Sequence, residues 1–199
     1  MSGFGGVSDI DTRQLQLELV RMIRYREPMS DEANAWGQAD LELMQHAAVN
    51  LFWRRTILDN AQRALTALSY DTRVVDCEKG WKSFQIKLSS LLQWEEQFGY
   101  SPWNGNLDAL NDGLSGYPFP ANNRAALALV GFHHLARDDK RSSSIVLDLL
   151  EYHSRQNLLF SKRLIILVQT DDNRFVPPLV GGRAPQWNRE EWTDKNRGL

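Results

Sequence analysis

Apolar positions recur at helical spacing through the first seventy residues. Between 9 and 26, Leu15, Leu19, Met22 and Ile23 return every three or four positions, with Arg21, Arg24 and Arg26 on other faces. Pro28 bars continuation, since it lacks an N–H and its ring clashes with the preceding turn. From 39 to 69, the spacing of Leu41, Met44, Ala48, Leu51, Phe52, Ile57, Leu58, Ala61, Leu65 and Leu68 predicts further helix. No strand signal interrupts it. Residues 1–69 therefore read as a helical N-terminal extension.

The pattern changes at Tyr70. Arg73–Glu78 is short and β-branched, bounded by Asp71 and Gly80, and predicts a strand. Helical spacing returns over Ser83–Gln97, and turn formers follow from Gly99 through Pro102 to Gly105. A short helix is expected from Asn106 to Ser115, with Gly116 placed for a left-handed C-cap. Residues 125–132 fit a buried strand or a helix, because an unbroken apolar run has no period to read. Ser142–Gln156 predicts an amphipathic helix with Ser144 as N-cap.

Arg163–Gln169 is apolar through its centre, as a strand covered on both faces must be. Strands alternating with helices predict an α/β domain over 70–170: a small parallel sheet of about three strands, with packed helices and right-handed crossovers. Residues 171–199 form a turn-rich tail, which Trp187 and Trp192 are expected to fold back onto the domain.

Composition narrows the class of protein. Hydrophobic residues make up 42% and charged residues 24% of the chain, an ordinary globular mixture with material for a core. Cys77 is the single cysteine, so no intrachain disulfide can form, which suits a reducing compartment. On a core strand it reads as a buried, inert thiol. Met1 to Ser8 lack the basic and apolar segments of a signal peptide. Apolar runs such as Leu164–Val168 fall far below the roughly 20 residues that cross a bilayer. The expectation is a cytoplasmic protein with no membrane contact. The net charge of −2, without a basic run or an aromatic–basic stripe, points away from direct nucleic-acid binding.

Few residues carry reactive chemistry. His133 and His134 are adjacent and point in different directions on a regular element, and no Cys or carboxylate stands at ligand spacing, so no metal is expected. His46 and His153 are isolated on helical segments. Glu95 and Glu96 are consecutive and share no helix face, which disfavours an acid–base pair. Phosphate-binding, nucleophile-elbow and zinc-protease motifs are missing from the sequence. No catalytic residue and no cofactor are predicted.

The informative segment runs from Trp103 to Tyr117. Leu107, Leu110 and Leu114 form one apolar stripe, while Asp108, Asn111, Asp112 and Ser115 repeat the same spacing on another face. One face is thus pinned to a core, and the other presents two carboxylates a helical turn apart. A solvated polar face would explain Asp108, which suits the positive end of the helix. It explains Asp112 less well, because Asp112 lies near the negative end. The functional alternative is a binding surface for cationic groups, with Trp103 and Tyr117 as aromatic anchors at its rim.

The run Asn106-Leu-Asp-Ala-Leu-Asn-Asp-Gly-Leu-Ser-Gly116 resembles the inhibitory helix of the barstar family of ribonuclease inhibitors. The flanking order is also similar: strand 73–78, helix 83–97 and an aromatic, glycine-containing loop before it, then helix 144–156 and strand 163–169 after it. The resemblance covers about residues 70–170. It implies an immunity-type protein with no enzymatic activity, which blocks a ribonuclease or nuclease toxin by placing carboxylates where substrate phosphate binds.

On that resemblance, Asp112 matches the central carboxylate and Asp108 its companion. Asn106, Ser115, Gly116 and Tyr117 match other contact positions, and Trp103 matches an aromatic of the loop. Asn111 stands where the best-known member has tryptophan, and a further glutamate of that member aligns with Glu151 or Tyr152. Residues 70–170 hold equal numbers of acidic and basic side chains, so long-range steering is weaker than in a broadly acidic inhibitor. Two alternatives remain. One is a scaffolding module that uses the same fold against a partner other than a nuclease; the other is a hydrolase, for which no nucleophile–base set is visible. The N-terminal helices are open to three roles: docking on the α/β unit, self-association, or binding a second partner; within them Trp53-Arg54-Arg55 reads as an inward-packed indole with solvated arginines, or as a partner contact.

Overall fold

The computed structural model describes residues 39–177 and 179–199, so the helix expected over 9–26 lies outside the described residues. In chain order the elements are α1 (Ala39–Met44), β1 (Val49–Phe52), α2 (Arg55–Ala67), β2 (Asp71–Asp76), α3 (Gly80–Leu91), α4 (Trp94–Phe98) and α5 (Leu107–Ser115). There follow β3 (Arg124–Val130), α6 (Phe132–Asp138), α7 (Lys140–Leu158), β4 (Arg163–Gln169) and β5 (Gln186–Trp187), then two short 3-10 turns. The fold is α/β, and its sheet has the order β2-β3-β4-β1-β5 with every pairing parallel.

β3 and β4 sit inside the sheet and are buried on both faces, which is why neither alternates in sequence. The ambiguous stretch 125–132 is thus a strand through Val130. Leu127, Leu129, Ile166 and Val168 join one cluster with Phe84 and Leu88 of α3, Leu110 and Leu114 of α5, and Val146, Leu147 and Leu150 of α7. On the other face, Ala126, Ala128, Ile165 and Leu167 meet Leu43 of α1 and Ile57, Leu58 and Leu65 of α2. β2 is an edge strand whose outer charges are paired, Arg73 with Asp71 at 2.8 Å and Lys87 with Asp76 at 2.9 Å.

Five strands replace the expected three or so. The fourth, β1, lies inside 39–69, where helical spacing had predicted no strand. Its four residues are too short to display a period, and Leu51 and Phe52 suit a buried helix or a strand equally. Neighbours distant in sequence decide the matter. Glu151 Oε2 accepts the N–H groups of Ala48 (2.7 Å) and Val49 (3.1 Å) at one end of β1. Glu191 accepts those of Trp53 (2.8 Å) and Arg54 (2.7 Å) at the other. A boundary at residue 70 accordingly divides a single compact unit, which spans Trp36–Leu199.

Three local expectations change as well. The helix expected over 83–97 is two helices, α3 and α4, separated at Gln93, whose φ of 54° is left-handed. α7 begins at Lys140 and is capped by Asp139, whose carboxylate accepts the Ser142 N–H at 2.9 Å; Ser144 lies inside the helix. The tail does fold back, through β5 and Glu191. Trp192 is exposed, and Trp187 is covered by Arg197, 4.8 Å above its ring.

Candidate functional site

α5 carries the polar face singled out in the sequence. Asn106 caps it, its side-chain oxygen accepting the N–H groups of Asp108 (2.9 Å) and Ala109 (3.3 Å). Leu110 and Leu114 are fully buried, and Leu107 packs against the same core. Gly113 lies on the indole of Trp94: a Cβ there would meet the ring at 2.5 Å, so only glycine allows α5 this close. The helix is therefore a rigid platform. Asp108, Asp112 and Ser115 are exposed on its outer face. Among the described residues, neither aspartate has an ion-pair partner.

Asn111 turns toward α7, where His153 Nε2–H donates to its Oδ1 at 2.9 Å. His153 is buried, and burial lowers its pKa below the ordinary 6.5. Beside this contact lies a groove between α5 and α7, lined by Asn111, Ser115, Tyr152 and Phe160 among others. Tyr152 and Phe160 expose large apolar surface in this groove, and Leu158 and Leu159 are exposed next to Phe160 in the chain. Sequence reasoning missed Leu158-Leu159-Phe160, although three consecutive apolar residues at a helix end were the available signal.

Several expected contact residues lie elsewhere. Trp103 is 1% exposed: its backbone N–H donates to Ser89 Oγ at 2.7 Å, and its indole N–H donates to the Asn106 carbonyl at 2.6 Å. Tyr117 is also buried, and burial pushes its phenol up. Both aromatics hold α5 from behind instead of flanking it at a rim. Gly116 has φ −89°, so it is no left-handed cap; it is exposed, with the Gln97 amide close against it. Glu151 is fully buried, with Arg155 Nε donating to it at 2.6 Å in addition to the two β1 amides. It has no surface to offer a partner, whereas Tyr152 is half exposed.

Cys77 is buried, and desolvation raises its pKa well above the ordinary thiol value. No cluster of three or more potential metal ligands occurs among the described residues, and no helix among them is long and apolar enough to cross a membrane. What the α5 face offers chemically is two fixed acceptors for charge-assisted hydrogen bonds. Comparison of the chain with protein-family models, curated proteins and solved structures finds no match.

Proposed function

We propose that the chain is a barstar-like protein inhibitor of a ribonuclease, with α5 as the inhibitory element. The observation that carries the reading is the pair Asp108 and Asp112: exposed, a helical turn apart, and without an ion-pair partner among the described residues. A ribonuclease presents Arg, Lys and His to phosphate. A carboxylate on a rigid helix satisfies those donors without offering a bond to break, and its fixed position limits the ordering cost of binding. The chain order β2, α3, α4, α5, β3, α6, α7, β4 also keeps the arrangement that the family resemblance implies.

Asp112 is the central residue and Asp108 supports it. Asn106, Asn111 and Ser115 border them, and the groove beside Tyr152 and Phe160 adds apolar contact area. A ribonuclease toxin, or an endogenous nuclease that must be restrained, is the corresponding partner.

The test is retention and silencing of ribonuclease activity from native lysate on immobilised chain, with wild type, Asp112→Ala and Asp108→Ala side by side. Loss of one central charged contact is expected to weaken inhibition by at least about 30-fold, or 2 kcal/mol, for Asp112→Ala, and by less for Asp108→Ala. Equal retention by all three proteins, or retention of a partner that does not cleave RNA, would move the reading to the scaffolding module.

A further inference from the structure

A second concave site lies at the carboxyl ends of β3 and β4. It is a pocket of about 250 Å³ between the start of α6, the first turns of α7 and the chain leaving β4. In open parallel α/β sheets this edge receives ligands, because the strands end there and the loops can diverge around a bound molecule. The lining combines an apolar floor with cationic walls. Phe132, Leu147 and Phe175 form the floor, the two phenyl rings meeting edge to face with centroids 6.3 Å apart.

Arg137, Lys140 and Arg174 lie on the walls, and among the described residues none of them has an ion-pair partner. Asp172 is the acidic residue of the lining. Its Oδ1 accepts the Arg174 backbone N–H at 3.0 Å, which ties it to its own turn.

His133 adds a hydrogen-bonding group to the lining. It lines the pocket at 7% exposure, and its Nδ1 accepts the Asp171 N–H at 3.3 Å. The proton of the neutral ring is then on Nε2, and this donor has no acceptor among the described residues. As part of the pocket lining, this N–H is open to a ligand's acceptor as it is to water.

We propose that this pocket binds a small phosphomonoester with a flat apolar body. The body lies against Phe132 and Phe175, and the phosphate receives Arg137, Lys140, Arg174 and the His133 Nε2–H. Three cations favour phosphate over carboxylate, since three non-bridging oxygens give each cation an acceptor where a carboxylate serves two. This site is separate from the α5 surface and stands whether or not the inhibitor reading does.

The test is ¹H–¹⁵N NMR titration of the full chain with phenyl phosphate, benzoate, phenol and inorganic phosphate. Phenyl phosphate is expected to shift amides around 131–137, 140–144 and 172–175, and to bind about tenfold tighter than benzoate or inorganic phosphate. Phenol alone should leave them unmoved. Arg137→Gln with Arg174→Gln, both on exposed positions, should weaken phenyl phosphate at least tenfold while the remaining spectrum stays folded. Absence of shifts at these amides with millimolar phenyl phosphate overturns the proposal. So does unchanged affinity in the double variant, or benzoate binding as tightly as phenyl phosphate.

Discussion

Two pairs of carboxylates in this chain carry the same formal charge and stand in opposite situations. Glu151 and Glu191 are fully buried, and each accepts two backbone N–H groups and an arginine at the ends of β1. Asp108 and Asp112 are exposed on α5 and accept nothing from a side chain among the described residues. The difference lies in what the surrounding backbone leaves unsatisfied. β1 has only four residues, so the amides beyond its ends outrun the sheet ladder and need acceptors from elsewhere. The N-terminus of α5 is already capped by Asn106 and its inner face is backed by a filled core, so its aspartates answer no demand of the fold. A carboxylate the fold does not need is where an external partner is to be sought.

Glu151→Ala is the strongest way to break this contrast. It removes the acceptor of the Ala48 and Val49 amides and leaves the Arg155 charge beside a buried void. The expected loss is about 3–5 kcal/mol of unfolding free energy, read by urea denaturation. Glu151→Gln should recover part of it, because the amide oxygen still accepts. A loss below about 1 kcal/mol for the alanine variant would place Glu151 with the dispensable acids.

Glu191→Ala comes next, at about 2–3 kcal/mol, because its ligands sit nearer the surface and Arg54 is half exposed. It should also free the tail. β5 pairs with β1 through only two residues, so limited proteolysis is expected to cut near 180–186 faster than in wild type. An unchanged cleavage rate would mean that Arg197 over Trp187 holds the tail without help from Glu191.

The same contrast explains what was legible in the sequence. β4 is a long apolar run covered on both faces, and the α5 stripe of Leu107, Leu110 and Leu114 has a clean helical period, whereas the run that became β3 fitted strand and helix alike. Such features are local and can be read locally. β1 and β5 could not be, because they are strands only by virtue of partners distant in sequence: Glu151, Glu191 and the register with β4.

At the candidate site, the polar and apolar faces of α5 were readable from spacing. The burial of Trp103, Tyr117 and Glu151 was not, since a residue type says little about which of two surfaces it meets. Asp139 displaced Ser144 as the α7 cap for a simple reason: both residue types cap helices, and the helix starts more than a turn earlier than its apolar spacing suggested.

The smallest expected effect is the most discriminating one, because it concerns sign. Asp108 lies in the first turn of α5 and Asp112 in the last, so the helix dipole favours one charge and opposes the other. At pH 7 and low salt, Asp108→Asn should cost about 0.3–1 kcal/mol and Asp112→Asn should gain a similar amount, measured by thermal or urea unfolding. Acidification adds a second handle. Burial holds the folded-state pKa of His153 below 6.5, so the folded chain binds fewer protons than the unfolded one, and stability falls as pH drops through 6.5 toward that lower value. The Asp112 charge opposes this depression, and removing it lowers the folded pKa further. The gain from Asp112→Asn should therefore shrink between pH 7 and pH 5. A charge that weakens the fold at neutral pH has no use within the fold, as a partner-facing role for Asp112 requires. If Asp112→Asn instead destabilises the chain at pH 7, Asp112 belongs with Glu151 and Glu191, and the α5 face loses its claim to be left over for a partner.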